Sequence, residues 1–213
     1  MSGYHIWQKI WNESGAKGDC QERYLELTRF YNDPERHYHT VARFWHCLRE
    51  LDGFWMQAPH RTNIGFALAY NYSVYDPRWN DNKLRSALYA NETLKTAGFD
   101  EEYRIRVVEC ILATSQKSAP ETFNEAEKFT VDIDCSILGK DSDVFDEYER
   151  GIRKEYVFVD EGSFRKERVR VLHRFLEREH IYFTERFRFF FESKARENIQ
   201  RSLGRLERGE PLL

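Results

Sequence analysis

Apolar residues recur at helical spacing along most of this chain, and no segment alternates apolar and polar residues for long enough to make a convincing strand. Val41, Phe44, Trp45, Leu48 and Leu51 fall at i, i+3, i+4, i+7 and i+10, which predicts an amphipathic helix over about 40–53 with one buried stripe. Asp33-Pro34 before it reads as a turn and helix start. A second helix is expected over about 81–97, with Gly98 as its C-cap, and Asp100 then caps a helix carrying Ile105, Val108, Ile111 and Leu112. Those two form an expected antiparallel hairpin. Tyr148, Ile152 and Tyr156 share a face. Phe183, Phe187, Phe191, Ala195, Ile199 and Leu203 step by four along a long final helix, as core or as a dimer seam. The best strand candidate, Phe129 to Ile133, runs directly into the segment ending at Gly139. The expectation is an all-α fold, one helical domain over 1–213, since no Ser/Gly/Pro-rich linker and no internal repeat divides the chain.

Composition narrows the class. A chain of 213 residues that is 41% hydrophobic and 15% aromatic has enough large side chains for a core without disulfide or metal staples. The longest charge-free stretch lies between Arg61 and Asp76, short of the roughly 20 apolar residues of a membrane span. MSGYHIWQKIW has no apolar stretch leading to a small-residue cleavage site, so a cytoplasmic protein with no membrane partner is expected. Cys20, Cys47, Cys110 and Cys135 share no short spacing and read as buried free thiols. Net charge is −3, but residues 164–213 carry 13 basic and 8 acidic side chains. Glu and Arg alternate there, as on a solvated helix face, and the chain carries none of the usual nucleic-acid motifs, so a nucleic-acid partner is not expected.

Three segments carry chemistry. Arg36-His37-Tyr38-His39-Thr40 is expected to open the helix after Pro34, and its two imidazoles, two residues apart, would not chelate one metal from a regular helix. His39 is either a ligand or a packed or capping histidine. In the segment 131–139, Asp132 and Asp134 sit among apolar residues, where a carboxylate needs a partner: a helix N-terminus, an arginine or a cation. Between them an uncharged helix over 64–75 is expected, with Asn71 and Tyr72 near its end.

In order and spacing, these segments resemble a bacterial family of predicted metal-dependent phosphohydrolases in the HD superfamily, with the pattern RxYHxxxH, FHDxxYD, DNExxSA, TxxH, DADLxILG and YxxYxxxxRxEY. The counterparts are RHYHTVARF (36–44), AYNYSVYDP (69–77), DNKLRSA (81–87), ATSQKSA (113–119), DIDCSILG (132–139) and FDEYERGIRKEY (145–156), and the correspondence covers about 20–200. The resemblance implies an all-α HD domain gathering His, His-Asp and Asp ligands around one or two divalent metals, which polarise a phosphoryl oxygen and supply hydroxide.

Residue by residue, His39 and Asp132 or Asp134 match the ends of that ligand set, leaving His39 and Asp134 as a residual metal pair. The middle departs from it: the His-Asp pair becomes Asn71 and Tyr72, a second histidine becomes Arg43, a glutamate becomes Lys83, and a later histidine falls among Ser115 to Lys117. Losing two ligand positions, at roughly 10- to 100-fold each, costs about 3 to 5 kcal/mol of metal affinity. Arg43 and Lys83 add cations where the metal would stand. The implied function is therefore a non-catalytic HD-like protein without a cofactor and with no assigned catalytic residue. Its pocket of His39, Arg43, Asn71, Tyr72, Asp76, Lys83, Asp132 and Asp134 would bind a phosphorylated, nucleotide-like small molecule or a protein partner. The alternative is a phosphohydrolase acting on a nucleotide or related phosphate ester through one Mn, Fe or Mg ion held by His39, an aspartate, Asn71 and water. Homo-oligomerisation through the C-terminal helix is a further expectation.

Overall fold

The computed structural model describes residues 3–115 and 120–210, which contain ten α-helices and no strand. The all-α expectation holds. The chain divides into two compact units, Met1–Asp134 and Cys135–Leu213. Among the described residues, no helix is long and apolar enough to cross a membrane.

The first unit holds α1 (Gly3–Ser14), α2 (Cys20–Tyr31), α3 (Val41–Gly53), α4 (Arg61–Tyr70), α5 (Asn82–Thr96), α6 (Glu101–Ala113) and α7 (Glu125–Cys135), whose last residue already belongs to the second unit. Helix α4 is its centre: every residue from Asn63 to Tyr70 is buried, as a helix with no charge after Arg61 allows. Phe66 points its ring edge-on to Trp7 and Trp11 of α1, at 5.6 and 6.2 Å between centroids. Phe44, Leu48 and Leu51 of α3 and Val107 and Ile111 of α6 are buried in the same unit.

The hairpin of α5 and α6 forms as its turn residues dictate. Gly98 sits at φ 86°, and the pair Gly98 N to Lys95 O and Phe99 N to Leu94 O closes the helix end. Asp100 then accepts from Tyr103 N at 2.8 Å and starts α6. The inward face of α6 is Val107, Cys110 and Ile111, so Ile105, expected inside, is exposed instead. Cys110 behaves as a small apolar residue and shifts the buried stripe around the helix.

Three local expectations change. Phe129 to Ile133 is helical, inside α7. The uncharged helix ends at Tyr70 rather than 75, because the backbone N–H and hydroxyl of Ser73 both bond the Tyr70 carbonyl and fold the chain into a turn. Residues 36–40 precede α3 instead of opening it. Arg36 holds them there, donating to the carbonyls of His39, Tyr72 and Ser73.

The second unit holds a 3₁₀ turn (Ser136–Gly139), α8 (Ser142–Glu155), α9 (Glu161–Leu176) and α10 (Glu185–Glu207). Phe187, Ala195, Ile199 and Leu203 of α10 are buried, so the four-step stripe is core. Asn198 of α10 donates to Leu138 O and Lys140 O at 2.9 and 2.8 Å, pinning the turn. Helix α8 buries Phe145, Glu149, Arg153 and Glu155, whereas Tyr148, Ile152 and Tyr156 are only partly covered. The buried charge on Glu149 is met by the Arg168 guanidinium and the Ser202 hydroxyl.

Candidate functional site

The site lies in the first unit, where the loop before α3, the turn after α4, the start of α5 and the ends of α6 and α7 meet. A frame of hydrogen bonds fixes these segments. The Tyr31 hydroxyl donates to Ala69 O at 2.8 Å and accepts from Tyr72 N at 3.2 Å. The Ser86 hydroxyl donates to Val74 O and accepts from Val74 N. The Asn82 side chain accepts from Asp76 N and donates to Asp76 O, at 3.0 and 2.7 Å. The bonds to Tyr72, Val74 and Asp76 tie the irregular segment 71–81 to α2 and α5, so its side chains have defined directions.

Four of the candidate residues then join in one chain of polar contacts. Arg43 of α3 donates through Nη2 to the Asp134 carboxylate of α7 at 2.7 Å and also to the Asp134 main-chain carbonyl. Asn71 Nδ2 donates to the same carboxylate oxygen at 3.2 Å. Asn71 Oδ1 in turn accepts from Lys83 Nζ of α5 at 2.6 Å and from the Thr114 hydroxyl at 2.8 Å. Lys83 Nζ also lies 3.4 Å from the centre of the Tyr72 ring. Beneath Tyr72 lies His39, whose ring centroid is 4.1 Å from that of Tyr72 and 4.2 Å from that of Tyr75.

The remaining two candidates behave differently. Asp76 turns its carboxylate to the backbone N–H of Arg78 at 2.9 Å, closing its own loop. Asp132 is buried on α7, two residues before Asp134 and therefore on another side of the helix. Thr114, in the segment matching TxxH, bonds Asn71 directly, and Arg36, which opens the segment matching RxYHxxxH, and Tyr31 hold the frame; none of the three is among the candidates read from the sequence, because their bonds are tertiary and leave no mark in spacing. The later-histidine counterpart extends into Gln116 and Lys117, which lie outside the described residues.

Arg43 and Lys83 bring two cations into one network with the Asp134 carboxylate, Arg43 directly and Lys83 through Asn71. The Arg43 side chain is 5% exposed. Burial works against its charge, but Cys47, Tyr38 and Asp134 around it hold the guanidinium protonated well above the ordinary arginine value. Burial pushes the Cys47 thiol up to about 12, so it stays a neutral packing group. Burial, with the Asp134 carboxylate nearby, likewise keeps the Tyr72 phenol neutral.

This donor set does not fit a divalent metal. The Asp134 and Asn71 oxygens that would face a cation already face a guanidinium and an ammonium group, and the His39 imidazole is packed between two tyrosine rings. Among the described residues, no group of three or more His, Cys, Asp or Glu side chains comes together. Elsewhere in the unit, a groove along α2 is lined by Asp19, Glu22, Arg23 and Arg29, all from one helix and its cap, and gathers no convergent chemistry. No protein-family model matches the chain, and no curated protein or solved structure matches it significantly.

Proposed function

We propose that this chain is a degenerate HD-domain protein that has given up metal-dependent hydrolysis and uses the former metal position to bind the phosphoryl group of a small molecule. The observation that carries the reading is Arg43. Its side chain is almost fully buried, Nη2 is bonded to Asp134, and Nε and Nη1 have no hydrogen-bond partner among the described residues. Unsatisfied N–H groups on a buried cation cost about 1 to 3 kcal/mol, more for a charged group, and phosphate oxygens are strong acceptors for a guanidinium. Lys83 adds a second cation two side chains along the network, through Asp134 and Asn71. Both would serve a phosphate as point charge and directional donor.

The rings around the site support recognition of the phosphoryl group rather than of a base. Tyr72 has His39 and Lys83 against it, Tyr75 has His39 and Arg36, and Tyr38 has His39 and Arg43. Stacking surface for a nucleobase is already used by the protein's own groups.

The test is calorimetric titration with inorganic phosphate, pyrophosphate and a nucleoside monophosphate, all with a chelator present. Binding of at least one of them without metal is expected. Lys83→Ala should weaken it by about tenfold, and Lys83→Arg should retain most of it. Metal content by plasma mass spectrometry is the opposing measurement. Near one divalent ion per chain, lost on His39→Ala together with turnover of a phosphate ester, would overturn the proposal in favour of a one-metal hydrolase. So would the absence of binding by all three phosphates.

A further inference from the structure

The contact between Arg43 and Asp134 leaves part of each partner unused. A guanidinium and a carboxylate frequently meet fork to fork, with two parallel N–H···O bonds. Here Nη2 alone makes the contact, donating to Oδ1 at 2.7 Å and to the Asp134 main-chain carbonyl. Asn71 Nδ2 also donates to Oδ1, at 3.2 Å, so one carboxylate oxygen carries two donors while Oδ2 carries none among the described residues. The Asp134 side chain is 11% exposed, which leaves that oxygen little water in place of a partner. A carboxylate oxygen so placed is stabilised by any donor that can reach it.

Unsatisfied donors and an unsatisfied acceptor therefore belong to one ion pair: Nε and Nη1 on Arg43, Oδ2 on Asp134. A group that meets both must accept from the guanidinium and donate to the carboxylate. A metal ion does neither, and beside the guanidinium it is repelled. A fully ionised anion does only the first, because every oxygen it turns toward Oδ2 is another acceptor. A phosphoryl group that keeps one proton does both: its ionised oxygens accept from Arg43 and Lys83, and its P–OH donates to Oδ2, the proton staying on the phosphoryl oxygen. We infer, on the basis of the phosphoryl-binding reading above, that Asp134 sets the class of ligand. The site takes hydrogenphosphate, or a phosphomonoester in its singly ionised form, and rejects sulfate and phosphodiesters, which have no proton to give.

Calorimetric titration of the full chain with charge-matched pairs of anions, chelator present throughout, tests it. At about pH 8 hydrogenphosphate and sulfate are both tetrahedral dianions, and the hydroxyl is the difference between them. Hydrogenphosphate should bind at least about tenfold more tightly, since a site that hydrogen-bonds a ligand hydroxyl rejects the analogue without it. At about pH 5, below the second ionisation of a monoester near pH 6, methyl phosphate and dimethyl phosphate both carry one negative charge. Methyl phosphate should bind more tightly by a similar factor. Asp134→Asn keeps an oxygen for Arg43 and sets an N–H₂ group in the place of Oδ2, so it should bring the two dianions within about threefold of each other. The comparison of anions on the unaltered chain needs no variant and decides the matter even if Asp134→Asn fails to fold. Equal affinity for hydrogenphosphate and sulfate there overturns the assignment of Asp134 and leaves phosphoryl binding in place. So does a preference that a folded Asp134→Asn protein retains in full. Failure of all four anions to bind overturns the inference, and with pyrophosphate and the nucleoside monophosphate also unbound, the phosphoryl reading beneath it.

Discussion

At the scale of single residues, Arg43 and Asp134 decide what the site can be. Their ion pair is 5% and 11% exposed at the side chains, so each partner depends on the other for the solvation it has lost. Arg43→Ala should cost about 3 to 5 kcal/mol, because it strands the Asp134 carboxylate beside buried apolar groups. Asp134→Ala should also destabilise by leaving the guanidinium more poorly satisfied. The double replacement should cost less than the two single ones together, by about 1 to 3 kcal/mol, as residues in one network are coupled. Urea unfolding of the four proteins measures this, and strict additivity would mean that the pair contributes no coupling. In the sequence Arg43 stands out as a departure from the pattern and Asp134 as a match to it, but their partners are not visible. Nothing in the order of letters says that the amide of Asn71 spans Asp134 and Lys83, because residues at 43, 71, 83, 114 and 134 become neighbours only through tertiary packing.

At the scale of elements, the helices were legible wherever apolar spacing was long and capped, and less so where a polar side chain competes with the backbone. The α5–α6 hairpin follows from Gly98 and Asp100, two residues whose roles are purely local. Apolar spacing carries the expected end of α4 five residues too far because the apolar run continues past Tyr70, and it is Ser73 that folds the chain back. Residues 36–40 fall outside α3 for a related reason: Arg36 fixes them by reaching carbonyls in another segment, an effect with no periodic signature. In the second unit the 3₁₀ turn at Ser136–Gly139 meets α10 so closely that a Cβ on Gly139 would lie 2.6 Å from Phe191 Cβ and 2.7 Å from its carbonyl oxygen. Gly139→Ala should therefore destabilise by about 1 to 3 kcal/mol, since the obstacle includes backbone that cannot rotate aside. Thermal unfolding checks this, and a change within about 0.5 kcal/mol of zero would mean that α10 yields to the extra methyl group.

At the scale of the whole molecule, scaffold and chemistry separate. Helical periodicity specifies an all-α chain almost independently of which polar side chains occupy the site, whereas the chemistry rests on a handful of positions that periodicity does not see. That separation makes the site convertible. Arg43 and Asn71 bond the Asp134 carboxylate and Lys83 bonds Asn71, so nitrogen and oxygen donors placed at these three positions would line one network with Asp134. The variant Arg43→His, Asn71→His, Lys83→Glu removes two cations and supplies two imidazoles and a second carboxylate, a set suited to Zn²⁺ or Mn²⁺. It should take up about one divalent ion per chain and gain about 2.7 kcal/mol of stability at a free metal concentration a hundred times the dissociation constant. The unaltered chain should gain none under the same conditions, because its carboxylate and amide oxygens already face N–H donors. Equal metal uptake by both proteins would mean that these four side chains do not control the site, and a folded variant that binds no metal would mean that their head groups converge too loosely to hold one.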